Sequence, residues 1–158
     1  MVKEILLLGD SLLYEKCAPI RQEELAEIQP VVQDLHDTLF AFRKEYKMGC
    51  GIAASQIGIR KRLFYIHINE PLVVINPVLT FPEEELAEVL DDCMSFPNLR
   101  VRVYRYKKVH LSYMDMNWEK QKLCAEGDFA ALIQHEYDHL DGVLAIMRAV
   151  DNRSFFLK

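Results

Sequence analysis

Gln134-His135-Glu136-Tyr137-Asp138-His139 sets two imidazoles four positions apart with a carboxylate beside the first. On a helix, positions i and i+4 share a face, one turn apart. Two such imidazoles can grip one divalent ion, and Glu136 can reach a water on that ion. A catalytic ion takes three protein ligands and keeps one position open, so the third ligand must come from elsewhere in the chain. Cys93, one of the other cysteines (Cys17, Cys50, Cys124) and a carboxylate are candidates, while His36, His67 and His110 are weaker ones. Taken singly, His135 or His139 reads as an ordinary packed histidine. As a pair enclosing Glu136 they read as metal ligands.

A second unusual stretch is Gly49-Cys50-Gly51-Ile52-Ala53-Ala54-Ser55-Gln56-Ile57-Gly58. Its glycines and alanines let a backbone approach a ligand closely, and the Gln56 amide can donate to a developing oxyanion. A tight turn feeding a buried strand explains the same residues equally well. There is no G-K-[ST] and no G-x-G-x-x-G, so a nucleotide loop is excluded.

The elements that must position these groups follow from periodicity. Val32, Leu35, Leu39, Phe42 and Tyr46 recur at helical steps, with Pro30 expected in the first turn and Gly49 as the C-terminal cap. Leu63–Ile68 and Leu72–Asn76 read as strands joined by a turn at Asn69-Glu70-Pro71. Val101–Tyr106 sets apolar or aromatic residues against basic ones, and the alternation resumes through Val109–Tyr113, as in a strand with one wet face. Trp118–Cys124 is expected to pair back with it. Asp128 is placed as the N-cap of a second helix, with Phe129, Leu132, Ile133 and Leu140 as its apolar face and Gly142 closing it. The expected fold is α+β. Mixed or antiparallel sheets pack around a central metal-bearing helix that carries H-E-x-x-H, with an N-terminal helix on the outside.

Composition bounds the function. With 158 residues, 51% hydrophobic and 27% charged, the chain reads as one globular domain over 1–158. A formal charge of −5 argues against non-specific attraction to nucleic acid or an anionic membrane. The apolar run Ile5-Leu6-Leu7-Leu8 is too short to span a bilayer, and Glu4 and Asp10 flank it. Four dispersed cysteines without C-x-x-C suit a reducing compartment better than a disulfide framework. The cytoplasm is therefore expected, or an organelle product without its transit segment.

Three segments in register resemble the peptide deformylase family. Gly49–Gly58 is similar to its G-x-G-[LI]-A-A-x-Q-[VI]-G, Asp91-Asp92-Cys93-Met94-Ser95 stands where it has E-G-C-L-S, and Gln134–His139 is similar to its Q-H-E-x-D-H. The resemblance implies a metal site of Cys93, His135 and His139 holding one Fe²⁺ per chain, with Zn²⁺, Ni²⁺ or Co²⁺ able to substitute. It implies removal of the formyl group from N-formylmethionyl peptides of new proteins, releasing formate. Glu136 would be general base and acid, and Gln56 and the Met94 N–H would stabilise the oxyanion. Gly51, Ile52, Arg100, Phe129, Ala131 and Leu132 would bind the peptide. The implied setting is a monomer that meets nascent chains, with the ribosome near its exit tunnel as partner.

Asp91-Asp92 departs from Glu-Gly. The shorter Asp91 would re-space a pair with Arg105, and Asp92 would add bulk and negative charge at the cleft. Little chain remains after Phe155-Phe156-Leu157-Lys158 for the long C-terminal helix of some members. The alternatives are a divergent relative that binds metal or peptide with weak or no turnover, and an H-E-x-x-H metalloprotease. The Cys93 and Gln56 segments speak against the protease.

Overall fold

A computed structural model describes residues 1–158. Helix α1 spans Leu25–Tyr46 and buries Ile28, Leu35, Thr38, Leu39 and Phe42. It starts earlier than the sequence suggests. A 3-10 turn at Gln22–Glu24 leads into it, and the Glu24 carboxylate accepts the Arg21 N–H at 2.6 Å. Pro30 therefore lies inside the helix, on its exposed side, where the carbonyl it leaves unbonded can reach water. At the other end Lys47, not Gly49, is the C-cap, in the left-handed conformation with φ of 58°.

Strands β1 (Gly51–Ala53), β2 (Leu63–His67), β3 (Pro71–Thr80), β6 (Lys108–Met114) and β7 (Lys120–Glu126) form one sheet in the order β1-β2-β3-β6-β7. Strands β4 (Leu86–Asp92), β5 (Leu99–Tyr106) and β8 (Phe155–Leu157) form a second, in the order β4-β5-β8. Neighbouring strands are antiparallel throughout, so the mixed-sheet option falls away. The alternating run from Val101 to Tyr113 serves both sheets, because the chain leaves β5 at Lys107 and enters β6 in the larger sheet. The phase of β5 also differs from the expected one. Tyr104 faces solvent, whereas Arg105 shares the dry face with Val101 and Val103. Strict two-residue alternation of the backbone overrides the residue types.

β2 shows how the layers stack. Leu63 and Tyr65 pack with Leu35, Leu39 and Phe42 of α1. Phe64 and Ile66 point the other way, into a cluster with Ile133 and Leu140 of helix α2 (Gly127–Leu140). The larger sheet thus has a helix on each face. Full burial of a side chain such as Phe64 or Leu39 contributes roughly 1.5–3 kcal/mol. α2 also touches the smaller sheet, where the Gln134 amide donates to the Tyr106 carbonyl at 2.9 Å and accepts the Tyr106 N–H at 3.0 Å.

Asp128 lies in the first turn of α2, with Glu126 at the N-cap, so its expected capping role is not met. Gly142 closes the helix as expected. Its N–H donates to the His139 carbonyl and that of Val143 to the Asp138 carbonyl, the paired bonds of a Schellman motif. No helix is long and apolar enough to cross a membrane. All four cysteines are free: Cys17 and Cys93 are buried, Cys50 and Cys124 exposed.

Candidate active site

β1 and β4 are each the outermost strand of their sheet, and both line a cleft of about 410 Å³. α2 contributes Asp128, Phe129, Ala131, Leu132, His135 and Glu136 to it, and Cys93 and Met94 follow directly after β4. At its base, Cys93, His135 and His139 bring Sγ and two ring nitrogens within 4.8 Å of one another, all three residues buried. The Sγ lies 3.3 Å from His139 Nε2. The chain holds these groups by two separate devices. The helical repeat aligns the imidazoles, and the turn after β4 carries the thiol across to them.

The surroundings fit a cation. His135 Nδ1 lies 3.0 Å from Asp91 Oδ2, so the opposite ring nitrogen is left for a metal, the usual arrangement behind a histidine ligand. A thiolate with two imidazoles suits Fe²⁺, Zn²⁺, Co²⁺ or Ni²⁺. Asp91 is itself gripped by Arg105 at 2.9 Å, and Arg105 reaches Asp138 at 2.6 Å. Arg148 binds the same Asp138 carboxylate through two nitrogens. The shorter Asp91 therefore still meets Arg105, and it bridges that arginine to His135. Burial opposes the charge on Asp91, yet His135 and Arg105 hold its carboxyl well below the usual range. Burial likewise opposes a charged His135 ring, but Asp91 and Cys93 outweigh it and raise its pKa. His139 moves the other way: burial, then the charge on His135, push it down.

Glu136 is 2% exposed, and its Oε2 has no hydrogen-bond partner. Burial pushes its carboxyl up to about 7, a value that suits proton transfer near neutral pH. A Cβ at Gly51 would lie 2.9 Å from Glu136 Oε1, so any larger residue there would displace the Glu136 side chain. Gln56 sits in a 3-10 turn (Ala54–Ile57), fixed by Ala53 N–H donating to its Oε1 at 2.9 Å. Its amide donates to Ser95 Oγ at 3.1 Å and faces Cys93 Sγ at 3.5 Å. The Met94 N–H makes no hydrogen bond to another backbone group.

Of the residues expected to bind peptide, Gly51, Phe129, Ala131 and Leu132 line the cleft. Ile52 does not. It is fully buried in the core beneath α1. Arg100 is exposed on β5 opposite Asp92 and lies outside the cleft lining. Sequence reasoning missed Met48, Ile68, Val89 and Asp128 as cleft residues and Asp138 as the partner of two arginines. The only signal for Asp138 was its place inside the histidine motif.

The family model for polypeptide deformylase matches residues 2–154. The peptide deformylase of Pseudothermotoga lettingae is 35% identical over 158 residues, covering 100% of this chain and 89% of that protein. That of Maricaulis maris is 32% identical over 151 residues, covering 92% and 83%. Among solved structures, the peptide deformylase of Thermotoga maritima superposes with a TM-score of 0.87 at 30% identity, covering 96% of this chain and 99% of that one. The enzyme of Synechococcus elongatus, solved in complex with actinonin, gives 0.87 at 32% identity, covering 95% and 80%. A match along nearly the whole length, together with a converged Cys-His-His set, makes this chain a member of the polypeptide deformylase family, whose chemistry is metal-dependent deformylation.

Proposed function

We propose that Cys93, His135 and His139 hold a single Fe²⁺ on helix α2, and that the chain uses it to hydrolyse the formyl amide of formylmethionyl peptides. The observation that carries this reading is the meeting of three ligand atoms at the base of a cleft flanked by two open strand edges. When bound, the cation supplies Lewis acidity and a water acidified to near neutral pH.

The remaining roles belong to the chain. An extended peptide adds as a strand between β1 and β4, with its backbone beside Gly51. The methionine side chain rests on Phe129, Ala131 and Leu132. Glu136 accepts the proton of the attacking water and returns it to the departing amine; its burial and its unpartnered Oε2 support that role. The Gln56 amide and the Met94 N–H hold the oxygen that gains charge, and the free Met94 N–H favours this assignment. Asp91 orients His135, and Arg105 fixes Asp91.

The test is formate release from formyl-Met-Ala-Ser by anaerobically prepared, Fe²⁺-loaded protein beside a Cys93→Ala control. Release that depends on Cys93, with about one iron per chain only in the parent protein, is the expected result. Equal release from both proteins would end the assignment of Cys93 as ligand.

A further inference from the structure

Two carboxylates stand on the rim of the cleft. Asp92, at the end of β4, and Asp128, in the first turn of α2, both line it, and no lysine or arginine does. Asp92 stands where the motif this chain resembles has glycine, so the carboxylate departs from that motif. Its side chain is 43% exposed. Oδ2 takes the Lys158 ammonium at 3.2 Å, and Oδ1 has no partner. The same ammonium touches the sulfur of Met48, itself a cleft residue. A cation on a long apolar stem therefore already rests at the edge of the cleft, against Asp92. The Lys158 side chain is 18% exposed, so the Asp92 carboxylate is the open end of the pair and the end a second cation can reach.

We propose that Asp92 is a specificity-determining residue that selects peptides with a lysine or arginine among the first residues after the methionine. The basic side chain lies on the open Asp92 oxygen, as Lys158 lies on the other, and Asp128 adds to the field from the α2 wall. Peptides with an acidic residue at the same place meet the Asp92 and Asp128 carboxylates, only the first of which carries a partner, and bind less well. This rests on the deformylase reading above, and the experiment separates the two.

Formyl-Met-Ala-Lys, formyl-Met-Ala-Gln and formyl-Met-Ala-Glu, with the set carrying the variable residue directly after methionine, are compared by kcat/KM. In one set the lysine peptide is expected to lead the glutamate peptide by about ten-fold at low salt, mainly through KM, with the gap closing at high salt. Asp92→Asn should shrink that ratio several-fold, and Lys158→Ala should widen it by removing the competing ammonium. The same peptides titrated calorimetrically into Glu136→Ala protein read the ratio as Kd, independently of turnover. If the glutamine peptides turn over but lysine and glutamate peptides are equal in both sets, the selectivity proposal is wrong. A ratio unchanged by Asp92→Asn would remove Asp92 from it. If no peptide turns over, the deformylase reading fails, and the Kd ratio still decides whether the rim selects charge.

Discussion

α1 and α2 both pack against the larger sheet, yet they bury different chemistry. In α1, 22 residues long, the buried set is Ile28, Leu35, Thr38, Leu39 and Phe42, and the one polar member, Thr38, accepts the Lys3 N–H at 2.9 Å. In α2, 14 residues long, Gln134, His135, Glu136, Asp138 and His139 lie buried among Ala130, Ala131, Ile133 and Leu140. Burying polar groups is unfavourable unless each finds a partner. Most of them do: Gln134 on the Tyr106 backbone, Asp138 on two arginines, His135 on Asp91. The fully buried side-chain atoms of α2 without a partner are Glu136 Oε2 and His139 Nδ1. Unmet polarity in α2 is thus confined to the residues that face the reaction. α1 is a packing element, and α2 is a packing element along one side and a site along the other.

The sharpest way to break this contrast is to change one buried residue in each helix. Glu136→Ala is expected to lower kcat by about 10²–10⁴-fold, the usual scale for losing a general acid–base. Metal content and thermal midpoint should hold, because the deletion removes a buried oxygen that was bonded to nothing. Metal analysis, a melting curve and formate release check the three parts. A collapse of the melting midpoint with activity per folded molecule retained would make Glu136 a structural residue and erase the distinction. Leu39→Ala in α1 tests the converse. Leu39 is fully buried, so the deletion should cost about 2–5 kcal/mol of stability in a denaturant titration. Turnover per folded molecule should be unchanged. Leu39 shares its cluster with Met94, so a loss of kcat instead would show that α1 positions the Met94 backbone.

The same contrast explains what was legible in the sequence. The histidine pair and Glu136 declared themselves because their spacing and their helix are one local fact; β2 and β3 followed from two apolar runs around a turn, and β6 from two-residue alternation, with β7 expected as its partner. Cys93 joined them only through the resemblance, since nothing local says that it meets His139. The Asp91 contact with His135 spans 44 positions, and no local pattern encodes such a pairing. Alternation alone put Arg105 on the wet face because its type suggests water, whereas the resemblance paired it with Asp91; backbone phase and two carboxylates hold it inside. Ile52 and Arg100 were assigned to the peptide through the resemblance, but the Ile52 side chain packs beneath α1 and Arg100 lies outside the cleft lining. Asp128 was read as a cap because Asp before an apolar run usually is one. In the structure the strand runs straight into the helix at Glu126 and leaves Asp128 at the cleft.

The helix ends give the smallest effects and the finest test. Gly142, after α2, has φ of 70°, and a Cβ there would lie 2.4 Å from the Tyr14 carbonyl oxygen. Gly142→Ala should therefore destabilise by about 1–3 kcal/mol, because both the left-handed backbone and a backbone clash oppose it. Lys47, after α1, adopts nearly the same conformation, φ 58°, with a side chain that only reaches back to the Lys44 carbonyl at 2.9 Å. Lys47→Gly relieves the left-handed strain, while the freer unfolded chain and the lost exposed bond offset part of the gain. The expected net is a stabilisation below about 1 kcal/mol, read as a small rise in melting temperature. KM should stay constant, since Lys47 itself does not line the cleft. Met48 and Gly49 follow it directly and do line the cleft. A shift in KM without a shift in stability would mean that the end of α1 sets the cleft rim, and that this helix too has a working side.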